Sequence, residues 1–169
     1  MKRSTTSPVL LLPLALAALY VWASSRALPA VVATHFGAGG AANGYMKHDA
    51  YVRFMLAFVV LLPWLVNFAM ERMLAAPGAR INLPHRDHWL SEAQRAPTID
   101  YLLRHMRWFG LLLVAFLCAM HSLVVRANAA VPPALDSTRF GIALGAYLLA
   151  TVLWIVALRR RFRRPRVSG

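Results

Sequence analysis

The side chains of this sequence best able to hold a metal or move a proton near neutral pH are six histidines and one cysteine. His35 and His48, the latter beside Asp49, share one stretch; His121 follows Cys118 by three residues; His85, Asp87 and His88 form a third group. Imidazole suits zinc or copper, so His35, His48 and His121 would make a metal site if their segments converged, although no tight ligand spacing unites them. The plainer expectation for His121 is a hydrogen bond to a neighbouring helix or to interfacial water, and for Cys118 the packing of a small apolar residue. Asp87 between two imidazoles has the makings of acid–base chemistry. No nucleophile stands at a recognisable spacing from it, which favours a structural role: capping the helices and seating Trp89 at the membrane surface. A single cysteine excludes an intramolecular disulfide framework and a multi-cysteine zinc or iron–sulfur site. Gly37, Gly39 and Gly40, followed by Asn43-Gly44, lack the Gly-Lys-Ser/Thr ending of a phosphate cradle and read as a turn. No cofactor is expected, and an enzyme is the second choice.

The elements that must position these groups are set by hydropathy. The chain of 169 residues is 59% hydrophobic and 15% charged, a split unlike that of an ordinary soluble domain. Four runs, at about 8–25, 54–70, 108–125 and 140–158, contain no Asp, Glu, Lys or Arg. A bilayer core of roughly 30 Å needs about 20 apolar residues in helical form, and backbone groups in lipid must be satisfied within the segment. The expected fold is therefore all-α, a four-helix transmembrane bundle forming a single membrane domain. The first run has Lys2 and Arg3 before it, as a signal peptide would. Its apolar stretch is longer than a signal core and no small-x-small site follows directly, so it is expected to remain as a span.

Charge then orients the bundle. Of 19 Lys and Arg residues, 14 fall in the N-terminal tail, the second loop (71–107) and the basic tail (159–169); five fall in the first (26–53) and third (126–139) loops. By the positive-inside rule both termini and the second loop are cytoplasmic and the other two loops face outward. The formal charge of +13 is thus mainly an orientation device with some attraction to anionic lipid, and nucleic acid is not an expected partner.

Within this frame the loops carry the recognisable residues. The first loop alternates β-prone residues and then turns at Asn43-Gly44, which predicts a short extended, hairpin-like extracytoplasmic loop. In the second, Pro97 and Thr98 precede Ile99, Leu102, Leu103 and Met106, whose spacing predicts an amphipathic cytoplasmic helix running into the third span. Gly141 and Gly145 form a GxxxG pair that predicts close helix contact and a possible oligomer through the fourth helix. Pro63 and Asn67 stand one turn apart, with Asn67 expected to hydrogen-bond across the bundle.

Leu28-Pro29, Thr34-His35-Phe36-Gly37, Gly40 and Asn43-Gly44-Tyr45-Met46-Lys47 resemble the outer-loop signature of the bacterial DUF1648 group, which includes SdpI-like immunity proteins. Asn82-Leu83-Pro84-His85-Arg86-Asp87-His88-Trp89-Leu90 is similar to a loop found in a subgroup of it. The resemblance covers about residues 10–110. It implies a multi-pass inner-membrane protein without catalytic activity that protects against a peptide toxin or signals through a membrane or cytoplasmic partner. On that reading His35, Phe36, Asn43, Gly44, Tyr45 and Lys47 form the ligand-facing surface, and Asn82, Pro84, His85, Asp87 and Trp89 mark a docking loop. The competing readings are a metal-binding or catalytic membrane protein using His35 and His48 or His85 and His88, and a small structural subunit of a membrane complex.

Overall fold

The computed structural model describes residues 8–76 and 81–163, so the expectations resting on Lys2, Arg3, Arg80, Arg164 and Arg166 lie outside the described residues. The order is α1 (Pro8–Ser25), β1 (Val31–Phe36), β2 (Ala42–Lys47), α2 (His48–Ala75), α3 (Arg86–Trp89), α4 (Glu92–Asn128) and α5 (Ser137–Arg161). Three helices, α2, α4 and α5, are long and apolar enough to cross a membrane, and α1 is a shorter apolar helix. The chain is a multi-pass membrane protein on that ground, mostly helical with one small antiparallel hairpin.

Helix limits run past the charge-free stretches. α2 spans His48–Ala75 around the 54–70 run, and α5 spans Ser137–Arg161 around the 140–158 run. Arg53 and Arg72 are good helix formers, and Asp49 sits in the first turn where an acid suits the helix dipole, so the backbone ladder continues beyond the apolar run. α4 begins at Glu92, before the expected start at Pro97, and continues without a break through the third span. Pro97 sits in the second turn, where the loss of one backbone donor interrupts little of a 37-residue helix.

The core explains the sequence periodicity. Leu10, Leu14, Ala17 and Val21 of α1 face Tyr51, Met55 and Val59 of α2 and Val114 and Leu117 of α4, with Leu28 and Val32 closing the hairpin end. These spacings of three and four put one stripe from each helix into a common seam. α1, α2 and α4 pack against one another pairwise, whereas α5 touches α4 alone among the helices and has no buried residue. The bundle is thus three packed helices with a fourth laid against one of them.

Two expectations about packing are corrected here. Asn67 donates to the carbonyl of Pro63 in its own helix at 2.9 Å and does not bond across the bundle. A side-chain amide one turn after a carbonyl can bond back to it within its own helix. The same amide lies over Gly110 of α4, where a Cβ would collide with Asn67 Nδ2, so glycine permits the close approach of α2 and α4. Gly141 and Gly145 meet nothing: a Cβ at either would find open space, so the expected contact is not made within this chain.

At the end away from the hairpin, Leu74, Ile81, Trp89, Leu102 and Phe162 form a second cluster. Trp89 is only 8% exposed and meets Phe162 edge to face at 5.5 Å, and the Arg161 guanidinium stands 4.6 Å from the Trp89 ring centroid. Trp89 therefore serves as an internal wedge between the loop and the end of α5.

Candidate functional site

The hairpin is built from a β-prone strand and a glycine-dependent reversal. β1 and β2 pair antiparallel from Val31 opposite Lys47 to Phe36 opposite Ala42, with irregular register around His35. The chain reverses at 37–41, not at Asn43-Gly44, which lie inside β2. Gly37 N–H donates to Ala41 O at 2.9 Å and Gly40 N–H to Gly37 O at 2.8 Å. Gly40 takes φ +81°, the left-handed region where a Cβ is penalised, and a Cβ there would also strike the Leu135 carbonyl. The glycine that best meets those demands thus sets the turn, and two register shifts around His35, one on each side of its pairing with Gly44, cancel so that Phe36 and Ala42 return to the starting register.

The hairpin is anchored along both strands. Asn128, the last residue of α4, accepts from Ala33 N–H at 2.8 Å and donates to Ala33 O at 2.9 Å and to Val124 O at 2.9 Å. One side-chain amide thereby takes the place of a neighbouring strand beside β1. Leu135 N–H donates to Gly40 O at 2.8 Å, Ala41 bridges to Ala134, and His48 N–H donates to Ala30 O at 2.9 Å. The His48 ring reaches Ser25 O through Nε2 at 3.0 Å and Asp49 Oδ1 through Nδ1 at 3.1 Å. Both partners only accept, so a ring protonated on both nitrogens satisfies them.

On this fixed hairpin four of the expected surface residues, His35, Asn43, Tyr45 and Lys47, are exposed; Phe36 and Gly44 are half-buried. The His35 ring N–H donates to the Asn43 side-chain carbonyl across the strands. Tyr45 is 55% exposed.

Beneath the hairpin lies a hydrogen-bonded chain linking three helices. Ser24 Oγ stands 2.9 Å from His121 Nε2, and Tyr51 Oη stands 2.8 Å from His121 Nδ1. His121 is fully buried, with Tyr51 stacked on its ring and Tyr20 edge-on to it. A serine, a histidine and an orienting hydroxyl in this order invite comparison with nucleophilic catalysis. The polarity argues otherwise. The Ser24 hydroxyl is 2.6 Å from Tyr20 O, a group that can only accept, so the serine proton goes there and His121 Nε2–H donates to Ser24 Oγ. Tyr51 then donates to Nδ1, and a neutral imidazole is satisfied at both nitrogens. The end of α1 beside Ser24 presents carbonyls, the wrong sign for an oxyanion. This chain ties the bundle together, as the hydrogen-bonded reading of His121 expected.

No family model, curated protein or solved structure matches the chain.

The remaining candidates separate. Among the described residues no three His, Cys, Asp or Glu side chains come together as a metal would require; His35, His48 and His121 each hold different partners. Asn82, Pro84, His85 and Asp87 are exposed, with His85 at φ +53° before the single turn of α3, while Trp89 turns inward. Cys118 packs partly buried against the main core. Sequence reasoning missed Asn128, Tyr51 and Ser24. The available signal was that a polar residue at the hairpin-side edge of an apolar run must find a partner, which points to a contact without naming it.

Proposed function

We propose that this chain is a non-enzymatic, four-span protein of the bacterial inner membrane that binds a peptide or protein partner at the outward face of its hairpin. α1 serves as the fourth span: its 18 residues rise about 27 Å, close to the hydrocarbon thickness of roughly 30 Å. The distribution of Lys and Arg places both termini and the second loop in the cytoplasm and the hairpin outside. The observation that carries the reading is the division of labour in the hairpin. Asn128, Gly40 and His48 hold it in place, while Tyr45, Lys47 and the hydrogen-bonded His35–Asn43 pair are exposed on it. Exposed aromatic and polar side chains on a fixed scaffold are the usual equipment of a recognition surface. The resemblance to the DUF1648 group adds a ligand class, a secreted peptide toxin, and a role for the exposed 82–87 segment as the docking place of a cytoplasmic partner.

The test expresses the protein in toxin-sensitive bacteria against a panel of secreted peptide toxins, alongside His35→Ala and Tyr45→Ala. Protection by the unaltered chain that is lost in the variants at equal membrane abundance is expected. Failure to protect against any toxin overturns the immunity reading. Orientation is read by placing a cysteine at Gly39, where a Cβ meets open space, and another at Asn82. A membrane-impermeant maleimide is expected to label the first in intact cells and the second only after permeabilisation, and the reverse pattern overturns the topology.

A further inference from the structure

Below the hairpin, α2 and α4 part to leave a groove of about 470 Å³, within the roughly 300–1,000 Å³ range of small-molecule sites. Its walls are apolar along their length, including Phe58, Leu62, Leu113 and Leu117, and no charged side chain lines it. Its polar groups, Thr34, Tyr51 and His121, all lie toward the hairpin end. We propose that this groove holds one acyl chain of a bilayer lipid, with the lipid's ester region against Thr34 and Tyr51.

Three observations favour that occupant. The groove is cut between two membrane-spanning helices, and Phe54 and Phe58 on its walls are partly exposed, so its mouth opens onto hydrocarbon. A long apolar trough with its polar groups gathered at one end matches an amphipathic molecule that enters lengthwise. The Thr34 hydroxyl has a hydrogen bond only to Gly44 O at 3.5 Å, the outer limit for such a bond, which leaves it able to donate to an ester carbonyl. Met46, Met55 and Met120 line the same space and let it adapt to chains of different length. The groove residues do not include the exposed hairpin side chains of the binding face, so this inference stands apart from the peptide-binding reading.

The full chain is reconstituted in vesicles of phosphatidylethanolamine and phosphatidylglycerol containing a trace lipid with a diazirine in its acyl chain, photolysed, digested and sequenced. Labelling is expected to concentrate on Phe58, Leu113 and Leu117 above that on Leu149 and Leu153, which lie on the exposed side of α5 and report ordinary surrounding lipid. Filling the groove by Leu117→Trp is expected to lower groove labelling about tenfold without changing labelling of α5. Leu113→Phe, at a less buried position, serves if the first variant does not fold. Thr34→Val is expected to shift the labelled position along the groove. Groove labelling equal to that of α5, or unchanged by both filling variants, overturns the proposal. So does displacement of the label by an apolar peptide together with indifference to lipid composition, which would assign the groove to a peptide.

Discussion

The two ends of the molecule solve the same problem with different chemistry. At the hairpin end, loops are fastened by side-chain hydrogen bonds: Asn128 to Ala33, His48 to Ser25 and His121 to Ser24 and Tyr51. At the opposite end the loop is fastened by apolar and ring contacts among Leu74, Trp89, Leu102 and Phe162; among the described residues, buried side-chain atoms without a hydrogen-bond partner occur at both ends, Ser25 Oγ near the hairpin and Trp89 Nε1, Thr98 Oγ1 and Arg107 Nε away from it. Directional bonds hold a backbone in one orientation, whereas apolar contact holds segments together with less angular demand. The contrast explains why the hairpin is held in one orientation above the bundle. It also shows that the histidines and asparagine of the other loop are solvated residues around a tryptophan wedge.

The contrast predicts its largest effect at that wedge. Trp89→Ala removes a buried ring from a small cluster and is expected to destabilise the protein by about 3–5 kcal/mol, read by thermal or denaturant unfolding in detergent. Trp89→Phe keeps a ring against Phe162 and discards the unpartnered indole N–H, so its loss is expected to stay within about 1.5 kcal/mol. Similar losses in the two variants would mean that the indole nitrogen has a partner and that this end also depends on directional bonds.

The second effect belongs to the hairpin. Asn128→Ala deletes one side chain and leaves Ala33 N–H and C=O without their partner, an expected cost of about 2–3 kcal/mol. Hydrogen exchange should show the loss concentrated in β1 and β2, with α2 and α4 still protected. Exchange that rises equally in all elements would remove the distinction between a fastened platform and the bundle beneath it. A smaller effect is expected one layer down. Tyr51→Phe leaves His121 Nδ1 without its donor but keeps the stacked ring, for a loss of about 1–2 kcal/mol. Ser24→Ala should cost less still, because Ser24 is only half-buried and its removal opens His121 Nε2 to water.

Much of this was legible in the sequence, and the exceptions have physical causes. Charge-free runs marked the long helices because a bilayer tolerates little else, and the β-prone residues before the glycines marked the hairpin. The helices extend beyond those runs because charge ends a lipid-facing surface without ending a helix. The turn was assigned to Asn43-Gly44 on local preference, but the Leu135 carbonyl packs against Gly40, a contact made by residues 95 positions away that no local pattern contains. Asn128 and Ala33 are likewise 95 residues apart. Of the surface that the family resemblance implied, His35, Asn43, Tyr45 and Lys47 are exposed while Phe36 and Gly44 are half-buried; the partners that hold the hairpin come from the far side of the fold.

The smallest expected effect is also the most discriminating for α5. Gly141 and Gly145 lie where an added Cβ meets nothing within 4 Å, on a helix with no buried residue. α5 is held to α4 on its other contacts: Trp154 Nε1–H donates to His105 O at 2.9 Å, the two rings stack at 4.4 Å, and Phe116 stacks on Tyr147 at 4.2 Å. Gly141→Ala with Gly145→Ala should therefore leave the stability of the monomer unchanged or raise it by about 0.5–1 kcal/mol per site, because glycine weakens a helix interior. Bulkier Gly141→Leu with Gly145→Leu should behave the same way in a monomer surrounded by lipid. If instead the leucine pair abolishes a crosslinked dimer while unfolding of the monomer is unaltered, the small-residue face is packed against a second chain. α5 would then differ from the other three helices in kind, taking its tight packing from outside the chain and only its ring contacts from within it.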